Sequence, residues 1–445
     1  MGAMFKTRMA NGKSRKKIAK LQSKRLKKLV KYAKSNSSYF EELYRDIGNK
    51  FELKDLKVVS KVEMMENFNR YITDSSVNLD KINEFTNDIN NVGCLINDKY
   101  LVFKTSGSTG NPAIILYDKN NIDVASAVAA LRTFARKEDL KTFIKNGKKS
   151  AGVFANSGFY LACGMAKYIE LSTGIRNTKI TIDVNKNVHD IIKELNEFKP
   201  SMLSGYPCNL SLLCNYEELE IKPDIIITGG ELLTDEIREK LKNRFNCYVQ
   251  THYSCTEAGE IACECSCGHL HINEDWLIVE AVDKDNNPVD AGVFSDKVLI
   301  TNLANYVQPF IRYELSDRVI IHDEECPCGN KMRWLEVEGR TDDILEFNNG
   351  VMIAPMSFYK IISEEKRVLR FQLIQRSLNK LELRLVCNDK EEVYFDLRNK
   401  ITAFLNNNGV NDVMIILSTE DPKPHKVSGK FNHVYKDIIK QEVDE

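Results

Sequence analysis

The eight residues from 105 to 112 have the composition of a phosphate-binding loop. They read Thr-Ser-Gly-Ser-Thr-Gly-Asn-Pro. Glycine lets backbone N–H groups approach an anion closely, and the hydroxyl side chains add further donors. The run is not a Walker A loop, because it lacks Gly-Lys-Ser/Thr and leads into a predicted strand instead of a helix. Taken alone, it fits a Ser/Gly-rich turn equally well.

A second group of chemically active side chains is formed by two short cysteine clusters. Two histidines follow the first cluster, and the whole set comprises Cys263, Cys265, Cys267, His269, His271, Cys326 and Cys328. Four such nitrogen and sulfur ligands suit a closed tetrahedral zinc site. The N-terminus has no apolar stretch typical of a secretory signal, and in a chain of that kind clustered cysteines bind metal more often than they form disulfides. Free buried thiols are the alternative interpretation.

Overall charge gives no indication of a polyanionic partner. The 445 residues include 63 basic and 63 acidic side chains, and the net charge is +0. We therefore expect no nucleic-acid partner. No apolar run approaches the roughly 20 residues of a membrane helix, so we expect no membrane partner either. The missing secretory signal and the clustered cysteines lead us to expect a cytoplasmic protein. The charge is uneven, because every charged residue from Lys6 to Lys34 is basic and the first acid is Glu41. We interpret this segment as a helix with a solvated lysine face; contact with nucleic acid or lipid is the alternative.

The order of predicted elements favours the α/β class, with a large N-terminal domain of mixed sheets and helices. Strands at 101–104 and 113–117 flank the loop, and a helix is expected at 121–136. A strand at 224–228, a helix capped by Thr234 and a strand at 247–253 form a βαβ unit. Ligands of such sheets collect at the carboxyl ends of strands. Residues 229–230 and 253–257 are predicted to lie there.

The composition after about residue 347 indicates a small separate α+β unit. Helices are predicted at 357–365 and 393–405, and strands at 371–375, 381–386 and 413–417. We therefore predict two domains, 1–340 and 341–445, joined by a linker at 339–343. The larger domain would hold both the Ser/Gly-rich loop and the cysteine clusters.

Six motifs, taken in order, resemble those of the adenylate-forming superfamily of acyl-CoA synthetases, luciferases and adenylation domains. They are the loop at 105–112, Gly229-Gly230-Glu231, Tyr253-Ser254-Cys255-Thr256-Glu257, the Arg-Tyr-Glu-Leu-Ser-Asp run at 312–317, the Gly-Arg-Thr-Asp-Asp run at 339–343, and Ser428-Gly429-Lys430. Residues 26–44 are similar to the opening helices of the phenylacetate–CoA ligase branch. The sequence departs from the pattern at Ser316, where the family has glycine, and at Ala113, where many relatives have lysine.

The resemblance implies a role for each motif residue. Lys430, Glu257 and Thr256 would be catalytic, with Glu257 binding Mg²⁺, Thr256 donating to the α-phosphate and Lys430 bridging carboxylate and phosphate. Asp342 would be the hinge of a mobile small domain. The ATP-binding residues would be Thr105, Ser106, Gly107, Ser108, Thr109, Gly110, Gly230, Glu231, Tyr253, Ser254, Asp317 and Arg340.

The resemblance also suggests an acyl pocket and a zinc ligand set. Aromatic residues among the pocket positions would suit an aryl acid, although aromatics near glycine more often form ordinary core. The pocket positions are Phe159, Tyr160, Ser204, Gly205, Tyr206 and Gly229. The zinc ligands would be Cys265, His271, Cys326 and Cys328, with Cys267, Cys263 and His269 as alternates. Four filled positions predict a structural site.

These expectations lead to three hypotheses about function. The first is ATP-dependent activation of a carboxylic acid, aromatic by the pocket residues, and its transfer to a thiol such as CoA. The second is an adenylating enzyme that loads a carrier protein or stops at the adenylate. The third is a non-catalytic nucleotide- or zinc-binding interaction protein, against which the presence of both Glu257 and Lys430 argues. The sequence leaves the oligomeric state open, with a homodimer as one outcome.

Overall fold

The computed structural model describes residues 2–105, 112–156, 158–174, 178–340, 344–353, 355–424 and 430–438. Alternating helices and strands confirm the predicted α/β class. The chain divides into two compact units. The first comprises Met1–Leu315 and Val319–Glu336, and the second comprises Ser316–Arg318 and Val337–Glu445.

The first unit contains twelve described α-helices. They are α1 (Ala3–Ala10), α2 (Arg15–Asn36), α3 (Ser38–Leu43), α4 (Lys61–Glu66), α5 (Phe68–Tyr71), α6 (Leu79–Thr86), α7 (Lys119–Arg132), α8 (Lys137–Lys145), α9 (Leu161–Thr173), α10 (Val188–Phe198), α11 (Pro207–Leu213) and α12 (Asp235–Phe245). Helix α7 begins earlier than predicted because the Asp118 side chain accepts a hydrogen bond from the Asn121 amide and caps the first turn. It ends at Arg132, four residues before the predicted end.

A nine-stranded sheet forms the centre of the fold, in the order β14-β15-β10-β9-β8-β7-β6-β4-β5. Its strands are β4 (Ser150–Phe154), β5 (Lys179–Asp183), β6 (Met202–Gly205), β7 (Ile225–Gly229), β8 (Tyr248–Cys255), β9 (Gly259–Glu264), β10 (Leu270–Ile272), β14 (Asp317–His322) and β15 (Trp334–Arg340). Strands β4 to β8 pair in parallel, whereas β9 pairs antiparallel with both β8 and β10. The parallel strands end at one edge of the sheet, where ligands of this class of fold bind.

Two smaller sheets complete the first unit. One contains β1 (Leu95–Ile96), β2 (Tyr100–Lys104) and β3 (Ile114–Tyr117), and the other contains β11 (Leu277–Val282), β12 (Lys297–Asn302) and β13 (Tyr313–Leu315). Strands β2 and β3 are the predicted pair around the Ser/Gly-rich run, and they pair antiparallel.

The predicted βαβ unit is present as β7-α12-β8. The Thr234 side chain accepts from the Ile237 amide, which confirms the predicted cap of α12. The buried face of α12 consists of Ile237, Leu241 and Phe245, and these side chains join the core cluster of the parallel sheet. Burial of this face fixes α12 against the sheet, because each such side chain contributes about 1.5–3 kcal/mol when removed from water.

The second unit contains a four-stranded sheet in the order β20-β19-β18-β21. Its elements are β16 (Leu345–Glu346), β17 (Met352–Ile353), α13 (Pro355–Ser363), β18 (Val368–Ser377), β19 (Lys380–Cys387), α14 (Lys390–Asn407), β20 (Met414–Leu417) and β21 (Val434–Lys436). The five predicted elements are all present with shifted ends. Strand β21 was not predicted, and its three residues pair in parallel with Leu373–Gln375 of β18.

In the described part of the chain, no helix has the length and apolar character needed to cross a membrane.

Candidate active site and metal centre

The carboxyl end of β7 carries the glycine turn that was predicted to face the nucleotide. Gly229 is the last residue of β7, and Gly230 follows with φ of 79°, a left-handed conformation that favours glycine. A Cβ atom at position 229 would lie 3.3 Å from the carbonyl oxygen of His252 on β8. The side chain of Glu231 accepts a hydrogen bond from the Cys208 amide at 3.2 Å. Because Gly229 has no side chain, the backbone of this turn lies close to the backbone of β8.

The Tyr253–Glu257 motif lies partly inside a strand, which corrects the predicted position. Strand β8 continues to Cys255 because β9 pairs with it, with a register shift between Tyr253 and Ser254. Thr256 and Glu257 follow directly. Their backbone is held by two side chains: the Tyr117 hydroxyl donates to the Thr256 carbonyl at 2.8 Å, and Asn302 Nδ2 donates to the Glu257 carbonyl at 3.1 Å.

The carboxylate of Glu257 is buried, with only 6% of the residue exposed. Burial raises its pKa, because a desolvated carboxylate is disfavoured. The Tyr313 hydroxyl opposes this shift by donating to Oε1 at 3.2 Å. A buried carboxylate suits a hard cation such as Mg²⁺, whose preferred ligands are carboxylate and water oxygens.

Tyr313 contacts the Glu257 carboxylate and was not identified as a site residue from the sequence, although it belongs to the Arg-Tyr motif. Its neighbour Arg312 forms a two-point ion pair with Glu280. Arg312 Nε and Nη2 each lie 3.1 Å from an oxygen of the Glu280 carboxylate. Arg312 Nη1 also donates to the Leu56 carbonyl at 2.8 Å. Arg312 thus anchors β13, and Tyr313 on that strand reaches Glu257.

The base of the predicted phosphate loop is closed by Thr105. Its amide donates to the Ala113 carbonyl at 3.0 Å, and its hydroxyl oxygen accepts from the Ala113 amide at 2.8 Å. The loop residues Ser106, Gly107, Ser108, Thr109 and Gly110 lie outside the described residues. These hydrogen bonds continue the β2–β3 ladder up to the beginning of the loop.

The predicted acyl-pocket positions lie at the ends of β6 and β7 and directly before α9. Tyr206 follows β6 and packs edge-on against Phe154 with ring centroids 5.3 Å apart. At Gly205 an added Cβ would lie 2.9 Å from Leu210 Cδ2 and 3.0 Å from the Val153 carbonyl oxygen, so any side chain here would require Leu210 and the β4 backbone to shift. Ser204 donates to the Ala151 carbonyl at 3.3 Å.

Two further acyl-pocket positions differ in their surroundings. Phe159 is buried in an apolar cluster with Phe68 and Ile114, so its ring forms core. Tyr160 directly precedes α9 and is half-buried.

The remaining predicted residues fall in or near the second unit. Asp317 is the first residue of β14, and Arg340 is the last residue of β15. Lys430 is half-buried and belongs to the second unit. The hinge position Asp342 and the motif residues Ser428 and Gly429 lie outside the described residues.

Cys265, His271, Cys326 and Cys328 come together, with all four ligand atoms within 4.8 Å of one another. Cys265 Sγ lies 3.7 Å from Cys326 Sγ, and Cys328 Sγ lies 3.3 Å from His271 Nε2. In a tetrahedral site with Zn–S bonds of about 2.3 Å, two sulfurs are about 3.8 Å apart. The spacing of these donors therefore fits a zinc ion.

The surroundings of these four side chains orient them as ligands. His271 Nδ1 lies 2.8 Å from the Met332 carbonyl, an arrangement that leaves Nε2 facing the sulfurs. The amides of Cys267 and Asn330 each donate to a sulfur, Cys265 Sγ and Cys328 Sγ respectively, at 3.4 Å. Such backbone donors stabilise thiolates at turns between strands.

The alternate ligands are placed differently. Cys267 is exposed, and Cys263 groups instead with His252 and Glu260. His269 stacks on Trp334 with ring centroids 3.9 Å apart, and its Nδ1 lies 3.2 Å from Cys326 Sγ. His269 is therefore the alternate nearest to the four side chains.

The fold and site define the class of the protein. Residues 21–291 match the family of AMP-binding enzymes, and this match covers more than half of the chain. The chain belongs to that family, and thus to the adenylate-forming superfamily, as the six motifs predicted.

Individual relatives are distant. Protein CapK of Staphylococcus aureus is 23% identical over 391 residues, covering 84% of this chain and 79% of the relative. A phenylacetate-coenzyme A ligase of Thermus thermophilus is 23% identical over 370 residues, covering 75% and 80%. Among solved structures, 2-hydroxyisobutyryl-CoA ligase in the postadenylation state has a TM-score of 0.68 at 15% identity, covering 97% of this chain and 91% of that one. At this identity the structural match supports the fold alone.

Proposed function

We propose that the protein activates a carboxylic acid, aromatic in character, with ATP to form an acyl-adenylate and then transfers the acyl group to a thiol such as CoA. AMP and pyrophosphate are the other products. The observation that carries this proposal is the buried Glu257 carboxylate, which lies directly after β8 and accepts from the Tyr313 hydroxyl. Strand β8 also pairs with β7, whose last residue is Gly229 of the glycine turn. Family membership supports the adenylation step, and the phenylacetate-coenzyme A ligases among the relatives support the acid and the thiol.

Each site residue has a proposed task. Glu257 binds Mg²⁺, which neutralises charge on the phosphates when it is bound. Thr256, whose carbonyl is fixed by Tyr117, donates its hydroxyl to the α-phosphate. Asp317 accepts from the ribose hydroxyls, and Lys430 bridges the acid and the phosphate. Asp342 is the proposed hinge between adenylation and thiol transfer.

The direct test is ATP–pyrophosphate exchange over a panel of aromatic and aliphatic acids. We expect exchange with at least one aromatic acid without any thiol, and thioester formation when CoA is added. Exchange without transfer to CoA would favour a carrier protein as acceptor or an enzyme that stops at the adenylate. Absence of exchange with every acid would overturn the enzyme proposal in favour of a non-catalytic nucleotide-binding protein.

Glu257→Gln should lower pyrophosphate exchange by at least about tenfold, because the amide loses the negative charge that binds the metal. Higher Mg²⁺ concentration should recover part of the activity. Glu239→Gln is the control, since Glu239 is paired with Lys242 on the surface of α12. Equal activity of the Glu257 variant and the control at limiting Mg²⁺ would exclude Glu257 as a metal ligand.

Tyr313→Phe should move the acid limb of the pH–activity profile to higher pH. Burial already raises the pKa of Glu257, and the Tyr313 hydroxyl lowers it by donating to the ionised form. Losing that donor raises the pKa of Glu257 further, so the carboxylate becomes protonated, and activity is lost, at a higher pH than in the unmodified protein. Measurement of kcat/KM against pH checks this. Tyr394→Phe, which removes a hydroxyl bonded to the Ile415 carbonyl, should leave the limb in place.

We also propose a structural zinc ion bound by Cys265, His271, Cys326 and Cys328. The proposal is supported by the spacing of the donors and by the Met332 carbonyl that orients His271. When bound, the ion would cross-link the β9–β10 turn to the 326–329 turn. All four positions are filled by protein side chains, which is typical of structural sites.

A further inference from the structure

We propose that the outer face of the two N-terminal helices docks the protein on an anionic lipid surface. The face consists of a lysine stripe on α2 and exposed apolar side chains on α1. The lysine stripe comprises Lys16, Lys17, Lys20, Lys24, Lys27, Lys28 and Lys31. This interaction is independent of the proposed chemistry and differs from the absence of a membrane partner that overall charge led us to expect.

The lysine stripe occupies one side of α2. At about 100° per residue, its seven members fall within a sector of about 120°. The buried residues of the same helix form the opposite sector and are Ile18, Leu26, Leu29, Val30 and Ala33. The lysines therefore point away from the protein, and an extended helix of 22 residues presents them along one line.

Nothing in the described part of the chain neutralises this charge. None of the seven lysines takes part in a described ion pair, and Lys28 instead lies over the Tyr306 ring at 5.2 Å. The first 40 residues contain thirteen basic and no acidic side chains, in a protein of net charge +0. The charge is thus concentrated on this helix and compensated elsewhere, which produces a strong local field.

The two arginines of α2 contact other parts of the protein. Arg15 pairs with Asp323, and Arg25 stacks on the Trp276 ring at 3.4 Å. The outer face is left with lysine alone, whose compact and strongly hydrated charge suits a diffuse layer of anionic headgroups. Base-specific nucleic-acid contacts favour the planar guanidinium group instead. A lipid surface is therefore the better match.

Exposed apolar side chains lie on α1, the helix that precedes α2 in the chain. On α1, Met4, Phe5 and Met9 are 46%, 48% and 53% exposed. The Trp276 indole lies beneath both helices, because its Nε1 donates to Thr7 of α1 at 2.8 Å and its ring faces Arg25 of α2. Both helices therefore contact the same indole. Segments that lie in the membrane interface combine exposed apolar side chains with a lysine-rich helix face.

The test is co-sedimentation of the full chain with vesicles. We expect binding to phosphatidylcholine vesicles containing about one third phosphatidylserine, loss of most binding at about 0.5 M NaCl, and no binding to phosphatidylcholine alone. Lys20→Glu with Lys27→Glu should weaken binding about tenfold or more. The matched control is Lys141→Glu with Lys145→Glu on α8, which changes the net charge equally and should retain binding. Circular dichroism confirms that both variants are folded.

Three outcomes would overturn the proposal. The first is no binding of the unmodified protein to anionic vesicles at low salt. The second is an equal loss in the two double variants, which would assign binding to net charge. The third is tighter binding to duplex or single-stranded nucleic acid than to vesicles at the same ionic strength, which would identify the stripe as a nucleic-acid surface.

Discussion

Lys430→Ala is expected to lower the rate of acyl-adenylate formation by about 10²–10³-fold, which corresponds to about 2.7–4 kcal/mol of transition-state stabilisation. Charge develops on the α-phosphate as the carboxylate attacks, and the proposed position of the Lys430 ammonium is between the two reacting groups. The loss should appear in single-turnover pyrophosphate release and not in ATP affinity, because the interaction is stronger in the transition state than in the ground state.

Two comparisons make this prediction specific. Lys430→Arg keeps the charge but changes the geometry, so partial activity is expected. Lys423→Ala removes a lysine of the same unit that is paired with Glu420, and it should leave the rate unchanged. Because the proposed role is confined to adenylation, transfer from a preformed acyl-adenylate to the thiol should continue in Lys430→Ala. Near-normal pyrophosphate release by that variant would remove Lys430 from the mechanism.

Cys326→Ser combined with Cys328→Ser is expected to abolish zinc binding and to lower the midpoint of thermal unfolding by about 10 °C. The protein as purified should carry about one zinc ion per chain. Loss of a structural metal is among the few changes that cost about 4–5 kcal/mol, and each kcal/mol shifts the midpoint by roughly 2 °C in a large domain. Metal analysis and calorimetry check the two parts separately.

The control removes two thiols that lie outside the four-ligand group. Cys94→Ser combined with Cys267→Ser should retain the zinc and the unfolding midpoint, since Cys94 is only half-buried and Cys267 is exposed. Loss of zinc in the control would assign Cys267 to the site in place of one proposed ligand. Protein prepared without chelator that contains no zinc would refute the site altogether.

Features that depend on interactions between neighbouring residues could be predicted from the sequence. The Thr234 cap, the apolar face of α12 and the strands beside the Ser/Gly-rich run depend on hydrogen bonds and periodicity within one or two turns of chain. Six motifs in a fixed order then indicated the superfamily, which the family match confirms. The resemblance to the superfamily also suggested Cys265, His271, Cys326 and Cys328 as one set of metal ligands, and their ligand atoms lie together in the structure.

Contacts between distant segments were decided only by the tertiary structure. Tyr313 reaches Glu257 from 56 residues away, and its motif gave no indication of that partner. Strand β8 extends through Tyr253 to Cys255 because β9 pairs with it, and the three residues of β21 form a strand only beside β18. The two N-terminal helices share the Trp276 indole for the same reason. Such pairings depend on which buried surfaces and unpaired backbone groups meet in the folded chain, and no local pattern of residue types specifies that choice.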